Sequence, residues 1–144
     1  MTMPTAVLDT NILVSTLIVP IGKPAQIVMR AYQQQFALLL SEEILQETRN
    51  ALHRKHIQKR FHPTDQDIEG FLARLRANCA LISIQHIENI IPQDPPDNLV
   101  LACAVEGSAE YLVSGNLHLL DLKHHRGVKM VTPAQFLEIL NEAK

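Results

Sequence analysis

Three stretches of this chain put an acid or an amide where an apolar run stops or starts. Asp9 ends AVLD and is followed by Thr10 and Asn11 before the apolar run resumes. Asp97 heads the apolar run in QDPPDNLVLACAVEG, with Asp94 just ahead of the two prolines, and Ser114-Gly115-Asn116 follows EYLV. A further acid, Glu47, lies within SEEILQETRNAL. Each has an ordinary role open to it. Asp9 can cap a helix, Asp94 and Asp97 can serve a turn or a helix start, Glu47 can pair with a base such as Arg54, and Gly115-Asn116 can be turn chemistry. Taken together they suggest something else. Asp9, Glu47 and Asp97 on one edge would repel one another at neutral pH unless a cation shared them. Oxygen-only ligands suit Mg²⁺ or Mn²⁺ better than zinc, and an Asn can add a carbonyl oxygen without charge. The chemistry such sites serve most often is phosphodiester hydrolysis, with two metals about 3.5–4 Å apart. The residues by themselves reach as far as an acidic metal site.

The elements that must position them alternate. Short apolar runs at 6–9, 36–40, 80–84, 110–114 and 128–132 read as strands, each too short for a typical helix. Helical patterns lie between them. One runs from Lys23 to Gln35 with Pro24 near its start, and one follows a Ser41 cap with Glu42 and Glu43 in its first turn. Others run from Asp65 to Asn78, from about Pro96 to Glu106, and from Pro133 to about Asn141 behind a Thr132 cap. In the helix after Ser41, Ile44, Leu45, Thr48, Ala51 and Leu52 share one stripe, and Glu47 falls nearest its border. The order predicts an α/β sandwich with a mostly parallel sheet, whose sites lie beyond the carboxyl ends of the strands. Asp9 and Ser114-Gly115-Asn116 would both emerge there.

At 144 residues and 47% hydrophobic, the chain suits one domain over 1–144. A net charge of -2 supplies no overall basic field, so a nucleic acid would have to be held by local patches or by metal ions. Cys79 and Cys103 lie apart without CxxC spacing, which predicts buried reduced thiols and a cytoplasmic setting. No apolar stretch approaches the length of a membrane span.

VLDTNILVS, SEEILQETRNAL, DPPDNLVLACAVEGSAEYLVSGNLHLL and VTPAQFLEIL resemble the ordered blocks of PIN-domain proteins. More narrowly, they resemble the bacterial PIN-family toxin components of toxin-antitoxin systems, over nearly the whole chain. The resemblance implies a three-layer sandwich with a central, mostly parallel five-stranded sheet flanked by helices. It also implies an acidic pocket that binds Mg²⁺ or Mn²⁺ and cleaves RNA, with metal ligands Asp9, Glu47 and Asp97. Asn11 and Ser114 match small polar positions that support the pocket, and Asp94 matches the first acid of the DPxDN-like block. One position departs from the pattern: where the family usually has an acid after the fourth strand, this chain has Asn116. Losing that charge should weaken a second metal more than the first, unless Asp121 compensates. The resemblance further implies an antitoxin partner and a homodimer.

A substrate path is suggested by RNALHRKHIQKRFH, where Arg49, Arg54, Lys55, Lys59 and Arg60 could meet RNA phosphates or simply form a solvated face. Lys123-His124-His125-Arg126 reads as a charged turn. With 4% aromatic residues, base stacking is not expected to dominate recognition. A phosphatase using paired aspartates after its first strand would need an acid where Asn11 stands. The other alternative is a non-catalytic PIN-like module that binds RNA or protein.

Overall fold

The short apolar runs become strands because neighbouring amphipathic segments can cover them on both faces. The computed structural model describes residues 3–91 and 95–142. β1 (Thr5–Leu8) leads to α1 (Thr10–Ile18), α2 (Lys23–Tyr32), β2 (Ala37–Leu40), α3 (Glu42–Leu52), α4 (Lys55–Phe61), α5 (Asp65–Ala77) and β3 (Cys79–Leu81). The chain continues through α6 (Pro95–Glu106), β4 (Tyr111–Val113), α7 (Leu117–Leu120), β5 (His124–His125), β6 (Val128–Val131) and α8 (Pro133–Glu142).

The strands lie in the order β3-β2-β1-β4-β6-β5, all parallel except β5, which runs antiparallel to β6. The α/β class and the mostly parallel sheet are as the sequence predicts, but the sheet has six strands instead of five. The extra strand comes from Lys123–Arg126, expected as a turn. Lys123, Arg126 and Gly127 take positive φ angles of 59°, 49° and 85°, and these fold the chain into a hairpin that lays His124 and His125 along β6. Chain order reverses between β1 and β4. From β1 the sheet grows one way through β2 and β3, then the other way from β4, so the carboxyl ends of β1 and β4 lie at the switch point where open α/β sheets place their sites.

Two segments depart from the sequence pattern for visible reasons. β3 stops at Leu81 rather than running to 84, because α6 captures the backbone that follows. Glu106 Oε2 accepts from the Gln85 N–H at 2.9 Å, and Asn98 Oδ1 accepts from the N–H groups of Ile90 and Ile91 at 2.9 and 2.7 Å. The basic run from 49 to 62 is not one helix face. α3 ends at Leu52 and α4 begins after Arg54, so the charges are divided between two helices.

The core gathers where α6 lies against β1, β2 and β4 and α3 lies against α1, α5 and α6. The expected stripe of α3 is buried: Ile44, Leu45, Thr48, Ala51 and Leu52, with the Ser41 hydroxyl accepting from the Ile44 N–H at 3.1 Å. Phe36 and Phe136, both fully buried, meet edge to face with ring centres 4.9 Å apart, tying the entry to β2 to α8. Among the described residues, no single helix is long and apolar enough to cross a membrane.

Candidate active site

Residue register brings the first two polar groups together. Leu8 pairs with Val113, and the Asp9 N–H donates to the Val113 carbonyl at 3.0 Å, so Asp9 and Ser114 each stand one residue past a paired position. Asp9 does occupy the N-cap position of α1, and its backbone carbonyl accepts from the Ile12 N–H at 2.9 Å. Its carboxylate does no capping. The Ser114 hydroxyl instead donates to Asp9 Oδ2 at 2.7 Å, the short distance of a charge-assisted bond. The simple capping role therefore does not explain this carboxylate.

Asp97 arrives from the opposite direction. A helix crossing between parallel strands runs back across the sheet, so the first turn of α6 lies at the carboxyl edge. Asn116, the N-cap of α7, donates from Nδ2 to Asp97 Oδ2 at 2.8 Å, while its Oδ1 accepts from the His118 N–H at 2.9 Å. These two bonds fix which end of the amide is which. The Asn116 backbone N–H also donates to Ser114 Oγ at 2.9 Å. A continuous hydrogen-bonded path thus runs from Asp97 through Asn116 and Ser114 to Asp9.

Asp9 and Asp97 are each 3% exposed. Buried carboxylates are costly unless donors or a cation attend them. Beside Asp9 in the chain, the Thr10 hydroxyl is buried and has no hydrogen-bond partner among the described residues. The two buried carboxylates offer oxygen ligands only, which fit a hard divalent cation such as Mg²⁺ or Mn²⁺ and not zinc. The Asn116 carbonyl oxygen does not belong to that set as placed, since it caps α7.

The other predicted residues are distributed as follows. Glu47 stands partway down α3, half-buried, and its Oε1 accepts from Arg54 Nη2 at 2.9 Å. Among the described residues, no three acidic, His or Cys side chains are gathered closely enough to hold an ion between them. Asn11 is exposed in the first turn of α1, Asp121 is exposed at the end of α7, and Asp94 lies outside the described residues. Of the basic run, Arg49 forms a two-pronged pair with Glu69, both contacts at 2.8 Å. Lys55, Lys59 and Arg60 are exposed on α4, with the Arg60 guanidinium 5.3 Å from the centre of the Phe61 ring.

One positioning residue escaped the sequence pattern. Asn98 is 4% exposed, and besides receiving the Ile90 and Ile91 N–H groups it donates from Nδ2 to the Ile91 carbonyl at 2.7 Å. It anchors the backbone of Ile90 and Ile91 against the first turn of α6. The available signal was an amide directly after an acid at the head of an otherwise apolar helix.

Comparison with known proteins agrees with this architecture. No curated protein sequence matches. In a solved structure of VapBC2 from Rickettsia felis bound to a DNA fragment from its promoter, one chain superposes with a TM-score of 0.59 at 15% identity, covering 89% of this chain and 98% of that one. At that identity the likeness concerns the fold. The family model described as PIN domain matches residues 5–118, a span running from β1 into α7 that includes Asp9, Glu47, Asp97, Ser114 and Asn116. The chain belongs to the PIN-domain family.

Proposed function

We propose that this protein is a metal-dependent ribonuclease of the toxin-antitoxin type, hydrolysing RNA phosphodiester bonds at the carboxyl ends of β1 and β4. The observation that carries the reading is the pair of buried carboxylates, Asp9 and Asp97, linked through Ser114 and Asn116 at the carboxyl edge. When bound, Mg²⁺ or Mn²⁺ would supply Lewis acidity, lower the pKa of a water and offset the charge of the phosphodiester.

Asp9 and Asp97 would hold the ion, Glu47 would join them as a third acid on release from Arg54, and Asp94 and Asn11 would support the pocket. Ser114 orients the Asp9 carboxylate by donating to one of its oxygens, and Asn116 does the same for Asp97. Lys55, Lys59 and Arg60, exposed on one short helix, attract the phosphates of the RNA. Because the net charge is negative, this local patch together with the ion provides the attraction. The missing acid at 116 reduces catalytic rate, and Asp121 does not restore it, being exposed at the far end of α7.

The likeness to a chain of the VapBC2 complex supports a second protein partner that blocks the pocket, an antitoxin. A homodimer and a cytoplasmic setting complete the reading. Exposed Val19 and Ile21 in the turn between α1 and α2, with exposed Met29 further along α2, offer an apolar contact for the second copy. Size-exclusion chromatography with light scattering tests this, and a monomer at high protein concentration would remove it.

The test of function is incubation of structured and unstructured RNAs with Mn²⁺, Mg²⁺ or EDTA. Cleavage in the metals and none in EDTA is expected. The alternative, a non-catalytic module, is favoured by one observation, the amide of Asn116 where an acid is usual. It predicts RNA retention in EDTA by gel shift with no cleavage under any condition.

A further inference from the structure

We propose that the Asn116 carboxamide is a built-in substitute for a cation, holding Asp97 in place without metal and limiting the pocket to one ion. The inference rests on the proposed acidic metal site and concerns how many ions that site takes.

The argument begins from the fixed direction of the amide. Oδ1 is committed to the His118 N–H at 2.9 Å and Nδ2 points at Asp97 Oδ2 at 2.8 Å. An aspartate at this position could keep the cap, since a carboxylate oxygen accepts from a helix N-terminus as well as an amide oxygen does. Its other oxygen would then face Asp97 Oδ2 at hydrogen-bond distance with no proton between them. Two carboxylates so placed cannot both stay ionised without a cation to share them. In this chain the N–H of the amide fills that gap.

The backbone makes the substitution consequential. The same residue's N–H donates to Ser114 Oγ, whose hydroxyl donates to Asp9. Asn116 therefore connects both carboxylates to one rigid junction between β4 and α7. A pocket with an acid here would need an ion or a shared proton to hold Asp97 and residue 116 together, whereas here the Asn116 amide itself supplies a donor to Asp97. Asn116 is accordingly a positioning residue.

The test uses the full chain and the variants Asn116→Asp and Asn116→Ala. Thermal melting is measured in EDTA and in Mn²⁺, and Mn²⁺ uptake is counted by calorimetry or by the loss of free-ion EPR signal. Expected are one Mn²⁺ per wild-type chain and two per Asn116→Asp chain. In EDTA, Asn116→Asp should melt about 5 °C or more below wild type and below Asn116→Ala, with Mn²⁺ restoring most of that loss. Equal melting of Asn116→Asp and wild type in EDTA would overturn the proposal, as would wild type binding two ions or none. Should Asn116→Asp not fold, Asn116→Ala decides: a metal-free melting temperature within about 1 °C of wild type overturns the role of the amide. RNA cleavage is read on the same samples. If the melting and uptake pattern holds while no RNA is cut, the nuclease reading fails and this one stands.

Discussion

The hydroxyl of Ser114 donates to the carboxylate of Asp9 at 2.7 Å, although the two residues are 105 positions apart in the chain. The parallel pairing of β1 with β4 brings them together, and the reversal of strand order at that pair puts them at the switch point of the sheet. Local strand pairing thereby becomes the geometry of a candidate active site.

Removing that hydroxyl should be felt in both stability and activity. Ser114→Ala deletes the donor to Asp9 and the acceptor for the Asn116 N–H. Hydrogen bonds to charged groups contribute about 1.5–3 kcal/mol, so the urea midpoint should fall correspondingly and RNA cleavage should drop with it. An unchanged midpoint would mean that the bond contributes nothing to the fold.

Asn98→Ala should be more damaging. It removes three hydrogen bonds to the backbone of Ile90 and Ile91 from a buried position, leaving those groups to find other partners. A loss of about 2–4 kcal/mol is expected in chemical denaturation, from an unsatisfied-group penalty of about 1–3 kcal/mol each, partly relieved by water. Hydrogen exchange should rise first in the segment leading to α6. Protection equal to wild type there would contradict the anchoring role.

The Arg54–Glu47 pair makes the opposite prediction. With Arg54 more than half exposed, its removal should change stability by less than about 1 kcal/mol. Glu47→Gln should lower Mn²⁺ affinity if Glu47 serves the ion, and Arg54→Ala should not. Equal, wild-type affinity in both variants would exclude Glu47 from the site.

Much of this was legible in the sequence because the signals were local. The Asp9 turn, the Ser41 cap with its buried stripe, and the α/β order all follow from apolar periodicity and helix-start chemistry. What escaped depends on contacts between distant segments. β5 exists because positive φ at Lys123 and Arg126 closes a hairpin that no period-2 pattern announces. Asn98 looks like any helical amide until the backbone of Ile90 and Ile91 is laid against it. The pairing of Glu47 with Arg54, by contrast, is one of the roles the sequence offers for Glu47, and what the continuous charged run conceals is the break between α3 and α4.

The two thiols give a pH dependence. Burial, with Glu43 adding to it, pushes Cys103 up to about 12, and burial pushes Cys79 up to about 11. In the unfolded chain both ionise near about 8.5, so above that pH the unfolded state loses protons that the folded state keeps. Stability is therefore retained in full below about pH 8.5 and declines as pH rises towards the folded values. Urea midpoints measured from pH 7 to 10 should show this decline, and Cys103→Ala should make it shallower. An identical slope in that variant would contradict the assignment.

The most direct test of the central claim is RNA cleavage in Mn²⁺ by wild type, Asp9→Asn and Asp97→Asn, each checked for folding by circular dichroism. The account predicts metal-dependent cleavage by wild type and a loss of at least about 100-fold in both folded variants, the scale expected when a group that stabilises transition-state charge is removed. Cleavage that persists in Asp9→Asn and Asp97→Asn, or that survives EDTA, would contradict it.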